Sequence, residues 1–253
     1  MKTLLEIREK AKLFLSKYDI YLYPVLKFIL ALAAFLLINS HGGFMKKLDN
    51  PGISLVLALL CSFLPVNVTA VFGAILILLH TYALSIEVFA ITFVVFAVMF
   101  LLFFRTAPKY GYLLLLTPIA FVVKIPYVVP LAMGLTATPT AAVPVACGTV
   151  VYFLLHYLGM NTAMLGGTQN GTVTEKITYL LDNVLNNKEM LLTVVAFALT
   201  IVVVYMIRRM SVDHAWTIAI VAGAVTDVIV SGFSRCRGAW GRLSSEKSKS
   251  LFC

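Results

Sequence analysis

The chain has 253 residues, of which 61% are hydrophobic and 12% charged, where a soluble domain carries roughly 45 to 50% and about 25%. Too little polar surface is present to cover a water-exposed globule, so lipid takes the place of water around most of it. The formal charge of +9, from 20 Lys and Arg against 11 Asp and Glu, sits at the ends of apolar runs, where it orients a membrane chain and meets anionic headgroups rather than nucleic acid. Cys61, Cys147, Cys236 and Cys253 form no CxxC pair and indicate neither a disulfide framework nor a zinc site.

Residues 1–18, MKTLLEIREKAKLFLSKY, place Leu4, Ile7, Ala11, Phe14 and Tyr18 on one helical face and Lys2, Glu6, Arg8, Lys10, Lys12 and Lys17 largely around the other. This pattern predicts an amphipathic helix on a membrane surface, and its basic residues place the amino terminus in the cytoplasm. A first span is expected over 21–38, with Tyr21 and Tyr23 at the interface and Lys27 within reach of it. Residues 53–84 are apolar but interrupted by Pro65 and Asn67. One kinked helix and two short segments both fit that pattern. Residues 86–104 predict a span, with Ser85 in a capping position and Glu87 in the first turn.

Residues 112–135 and 141–158 are again of spanning character, yet Pro118, Pro126, Pro130, Pro139 and Pro144 crowd this region. In hydrocarbon each unpaired backbone group costs several kcal/mol, so Pro126 and Pro130 are expected to face protein or a wet cavity. Lys124 points the same way, since a lysine at the centre of a span costs about 2.5 to 3.5 kcal/mol unless paired, hydrated or near the interface. Discontinuous helices of this kind build the substrate sites of secondary transporters. A polar cavity lined by Thr117, Lys124, Tyr127, Thr136, Thr138 and Thr140 is therefore expected. The competing reading puts Lys124 at the end of a short helix, with IPYVVP as an interfacial connection. Within residues 172–187, Thr172 and Glu175 have capping-box spacing and Ile177, Leu181, Val184 and Leu185 form an apolar stripe, which predicts a second surface helix. Spans over 191–207 and 216–230 follow. Asp227 is a second intramembrane charge, a candidate counter-ion to Lys124, solute contact or proton carrier; the competing reading makes it an end-of-span residue that reaches the headgroups.

The resulting fold expectation is an all-α, polytopic transmembrane helix bundle of about seven to eight spans, with proline breaks at Pro65, Pro118, Pro126, Pro130, Pro139 and Pro144. Its domain plan is a surface helix at 1–18, a transmembrane domain at 19–233 and a basic, serine-rich tail at 234–253. Counting basic residues for topology gives a conflict: when 53–84 crosses twice, Arg105, Lys109, Lys176 and Lys188 fall inside but Arg208 and Arg209 outside, and the reverse holds when it crosses once.

From LALLCSFLPVN (57–67), through KIPYVVPLAMG (124–134), to IRRMSVDHAWTIAIVAG (207–223), the chain resembles a set of uncharacterised polytopic membrane proteins of Gram-positive gut bacteria, over roughly residues 1–230. The resemblance implies a multi-pass protein of the bacterial cell (inner) membrane and brings no catalytic residue. It also implies a further apolar span and an acidic tail after Val230, whereas this chain departs into a basic, serine-rich ending that reads as truncated or frame-shifted.

For function, the broken region near 112–148 supports a small-solute or ion permease. The alternative is a non-transporting assembly factor or subunit of a larger membrane complex, with the surface helices as contact sites and membrane proteins or further copies as partners. An enzyme is not expected: the GxGD and EExxxR patterns of intramembrane proteases are absent, and His41, His80, His156 and His214 form no HExxH. No catalytic residue, metal site, cofactor or nucleic-acid partner is expected.

Overall fold

The computed structural model describes residues 22–40, 50–160, 188–210 and 216–229. The expected surface helices at 1–18 and 172–187 and the tail at 234–253 lie outside them. The described residues form helices α1 (Leu22–Ser40), α2 (Pro51–Phe63), α3 (Val66–Leu84), α4 (Ile86–Thr106), α5 (Gly111–Val122), α6 (Val128–Thr136), α7 (Ala142–Met160), α8 (Lys188–Arg209) and α9 (Trp216–Ile229), and no strand. Five helices are long and apolar enough to cross a membrane: α1, α3, α4, α7 with the preceding turn, and α8. The helices α2 and α9 are apolar but shorter.

Chain composition explains the outward face. α4 buries Val88, Thr92, Phe96, Met99 and Phe103 at steps of three and four, and leaves Phe93, Val94, Val98, Leu101 and Leu102 exposed. A helix apolar on both faces is stable only where lipid covers the outer one.

Residues 53–84 resolve into two helices. α2 stops at Leu64, and Pro65, whose fixed φ suits a helix entry, occupies the N-cap of α3. At the next boundary Ser85 holds the capping position, but its hydroxyl pairs with the Glu87 carboxylate instead of a backbone N–H.

Side-chain bonds fix the order of the helix ends. Near one end of the bundle Lys27 Nζ donates to Leu64 O at 3.1 Å and lies over the Tyr23 ring, Ser62 Oγ donates to Pro24 O at 2.8 Å, and Asn67 Nδ2 donates to Pro108 O at 3.0 Å. These contacts gather the start of α1, the α2–α3 turn and the α4–α5 turn at what is called here the Lys27 end. At the opposite end Asn39 Nδ2 donates to Ser54 Oγ at 3.1 Å and Asn39 Oδ1 lies 3.0 Å from His80 Nε2, which ties α1, α2 and α3 together. Asn39→Leu is expected to cost about 1 kcal/mol, read as a lowered unfolding midpoint in detergent with native packing otherwise retained.

Two apolar clusters share the interior. One joins α1 to α4 with α7 and one side of α5, through residues such as Phe35, Ile77, Phe96, Leu114 and Leu155. The other joins the remaining side of α5 to α6, α7 and α8, through Leu113, Val129, Met133, Val145, Phe197 and Ile201. α5 therefore stands between the clusters, and α6 belongs to the second alone.

Candidate functional site

α5 and α6 have 12 and 9 residues, about 18 and 14 Å at 1.5 Å per residue, so neither reaches across a hydrocarbon layer of about 30 Å. Together they make a hairpin with both feet at the Lys27 end. Tyr112 at the start of α5 reaches Met133 Sδ near the end of α6, and Tyr110 Oη lies 3.2 Å from Thr138 Oγ1. Residues 112–135 thus fold back on themselves, with both of their ends at one end of the bundle, where their apolar length suggested a broken crossing.

Two backbone bonds close the tip. Lys124 N–H donates to Phe121 O at 3.0 Å and Ile125 N–H donates to Ala120 O at 2.9 Å, the paired bonds of a Schellman cap. That cap requires its C′ residue to be left-handed, and Lys124 has φ 64°, the one non-glycine residue with positive φ among those described. Pro126 has no N–H to strand, and Pro130 occupies the first turn of α6, where an N–H would have no helical partner anyway. The remaining prolines divide by position. Pro139 opens a short 3-10 turn, Pro144 falls in the first turn of α7, and Pro118 lies inside α5, which continues through it. The expected breaks at Pro118, Pro130 and Pro144 are therefore absent, since a proline near a helix start costs little and Pro118 is buried between packed neighbours.

Aromatic rings surround the tip. Phe121 stacks on Tyr152 of α7 at a centroid distance of 4.4 Å and lies 5.8 Å from Phe197 of α8, while Tyr127 meets Phe197 edge-on at 6.1 Å. Phe197 and Tyr152 are near the middles of their helices, so the tip stops partway along the bundle. Val123, Lys124 and Ile125 are exposed there, and the Lys124 ammonium has no hydrogen-bond or ion-pair partner among the described residues.

Close backbone approach holds the hairpin. A Cβ on Gly148 of α7 would stand 2.7 Å from Thr117 Cβ and 3.3 Å from Leu113 O. One on Gly134 of α6 would stand 2.7 Å from Val204 Cβ and 3.2 Å from Ile201 O of α8. Small residues at such points let helices pack in lipid, where no hydrophobic force draws them together. Arg208 donates to Leu135 O at the carboxyl end of α6 and lies over the Trp216 ring, so the foot of α6 has a charged cap.

These positions separate the expected cavity lining. Lys124 and Tyr127 share the tip. Thr117 is fully buried against Gly148, its hydroxyl donating to Leu113 O at 2.7 Å. Thr136 Oγ1 donates to Ala132 O, and Thr138 and Thr140 pair with each other at 2.7 Å beside Tyr110, at the opposite end of α6 from Lys124. The six residues do not line one cavity. A threonine hydroxyl bonded to the carbonyl four residues back is already satisfied within its own helix, which the sequence pattern does not reveal. Asp227 is not a counter-ion to Lys124. Its side chain is 4% exposed, Oδ1 lies 2.7 Å from Thr200 Oγ1 of α8, and Oδ2 has no partner among the described residues.

Residues the sequence reading passed over include Phe121, Tyr152, Phe197 and Thr200, which surround the tip or meet Asp227. A mid-span aromatic or threonine carries no local mark of its partner. A separate open cleft of about 440 Å³ at the Lys27 end is lined by Tyr23, Lys27, Asn67, Lys109 and Tyr112 among others. Among the described residues no group of His, Cys, Asp and Glu has the composition of a metal site. Comparison with family models, with curated proteins and with solved structures finds no match for the chain.

Proposed function

We propose that the protein is a membrane permease for a small solute carrying an anionic group, with its site at the tip of the α5–α6 hairpin. The observation that supports this most is Lys124 itself. A left-handed C′ position is ordinarily filled by glycine, and a side chain there costs roughly 1 to 2 kcal/mol. The chain places at that point a lysine with no partner among the described residues, at a depth where its charge is costly. Both penalties are offset if the ammonium meets water and an anionic solute. Backbone that leaves helical geometry at membrane depth is tolerated beside such a cavity.

In this reading α2 and α9 cross as well, giving seven crossings and one re-entrant hairpin. The Lys27 end then faces the cytoplasm of a bacterial cell, with the amino terminus on that side. Lys27, Arg105, Lys109, Arg208 and Arg209 lie towards this end, whereas Glu87, Lys188 and Glu189 lie towards the other, as the positive-inside rule prefers. Single cysteines at Lys109 and Arg209 are expected to react with a membrane-impermeant maleimide only after the cells are opened, and one at Glu87 before. The opposite pattern inverts the orientation.

The site is tested with single cysteines at Lys124 and Tyr127 in a cysteine-free background, together with uptake of a panel of radiolabelled small organic anions into proteoliposomes. Labelling at the tip that a transported anion blocks supports the permease. Silence at both positions, with correct insertion and no uptake, leaves the non-transporting membrane component as the reading to pursue.

A further inference from the structure

On the permease reading, which this inference rests on and deepens, we propose that Asp227 is the proton-binding site of a proton-coupled transporter. α9 runs antiparallel to α8: Trp216 meets Arg208, a Cβ on Gly223 would stand 2.5 Å from Val204 Cγ2, and Asp227 meets Thr200. These three contacts set Asp227 within about one helical turn of Phe197, and so close to the depth of the hairpin tip.

The hydrogen-bond geometry fits a neutral carboxyl. Thr200 Oγ1 lies 3.0 Å from Ala196 O and 2.7 Å from Asp227 Oδ1, but a threonine hydroxyl has a single hydrogen to donate. Both contacts are hydrogen bonds at once when Asp227 is the neutral acid, donating from Oδ1 to Thr200 Oγ1 while that hydroxyl donates to Ala196 O. Oδ2 is then an uncharged carbonyl oxygen, and its lack of a partner is far less costly than the same vacancy on a carboxylate.

A purely structural link between α8 and α9 does not need an acid, since asparagine makes the same bond without a group that can ionise. What the acid adds is a proton it can release. Among the described residues of α6, α8 and α9 no other acid lies near it. From α8 Asp227 is faced by Thr200, with Tyr205 and Arg208 more than a turn away towards the Lys27 end and Lys188 and Glu189 far towards the other. α6, which approaches α9 through Leu131 beside Gly223, has no titratable residue. In the cycle the proton leaves the Asp227 carboxyl for water on one side of the membrane, breaking the bond to Thr200, and is replaced from water on the other side. One proton moving with one anionic charge makes the combined step electroneutral.

The test is labelling by dicyclohexylcarbodiimide, which adds across the O–H of a protonated carboxyl in an apolar site, in sealed proteoliposomes of the full chain, with the modified residue located by peptide mass spectrometry. Labelling of Asp227 is expected to fall roughly tenfold per pH unit once the medium is alkaline to the group's midpoint, to follow the pH of one compartment, and to vanish in Asp227→Asn. In the same vesicles Asp227→Asn is expected to lose anion accumulation driven by a pH gradient while still exchanging anion at equilibrium. Absence of labelling in folded protein, or labelling indifferent to pH on either side, overturns the proposal. Gradient-driven accumulation at the wild-type level in Asp227→Asn also overturns it and leaves the permease reading standing. Labelling that follows pH in protein that moves none of the anions defeats the permease reading, and the coupling with it.

Discussion

On the permease reading, Lys124→Gly is expected to leave the hairpin folded and to lower anion uptake roughly 10- to 150-fold if the ammonium is the main charge facing the solute, since a hydrogen bond or ion pair to a charged group contributes about 1.5 to 3 kcal/mol. The substitution separates function from structure because of the backbone at that point. Lys124 has φ 64°, a region glycine enters freely. Relief of that strain and the added freedom of the unfolded chain act in opposite directions, so stability moves by no more than about 1 kcal/mol. Lys124→Ala removes the charge without relieving the backbone and is expected to lose uptake equally while melting lower than the glycine variant. Thermal unfolding in detergent and uptake in proteoliposomes, measured on the same preparations, check both. Retention of uptake in Lys124→Gly would remove the site.

Gly134→Ala is expected to carry the largest structural effect. In an ordinary helix the change gains roughly 1 kcal/mol from propensity. Here the new Cβ meets Val204 Cβ at 2.7 Å and the Ile201 carbonyl oxygen at 3.2 Å, and a backbone oxygen of a packed helix has nowhere to go. Overpacking of this kind costs about 1 to 3 kcal/mol, and α6, with only 9 residues, has little other contact to hold it. The expected outcome is a hairpin whose second arm leaves α8, seen as new proteolysis or cysteine reactivity along 128–136 and as loss of uptake. Gly52→Ala is the control: nothing stands within 4 Å of its added Cβ, and it is expected to be neutral.

How much of this was legible in the sequence differs from element to element. The break between α5 and α6 was legible, because Pro126 and Lys124 are residues a continuous apolar helix excludes. Its direction was not. An apolar arm that turns back has the same composition as one that goes through, and the difference lies in Gly134 and Gly148 meeting helices distant in the chain. One signal did bear on it: when 112–135 folds back instead of crossing, Arg105, Lys109, Arg208 and Arg209 fall at one end, and only Lys188 among the described basic residues of that count falls at the other. Asp227 was legible as a costly charge, but its partner Thr200 was not, since nothing local distinguishes that threonine from Thr117 or Thr136, whose hydroxyls are spent on their own helices. Hydroxyls near one another in sequence suggest one polar lining, but Thr117 lies on α5 and Thr136 and Thr138 at the far end of α6.

The hairpin also constrains how the protein is made. α6 is held mainly by α8, and the pair joined by Arg208 and Leu135 is separated by 73 residues. At a synthesis rate of roughly 5 to 20 residues per second, α6 therefore waits for several seconds before its partner exists. During that interval α6, too short to span, has an unpacked face, and among the described residues its support is α5 and α7. The order of assembly is thus set by the fold: the bundle of α1 to α5 and α7 forms first, and the half-depth arm is locked by a later arrival. A ribosome paused before α8 would leave an intermediate in which α1 to α5 and α7 can already pack and the second arm of the hairpin still lacks the helix that holds it.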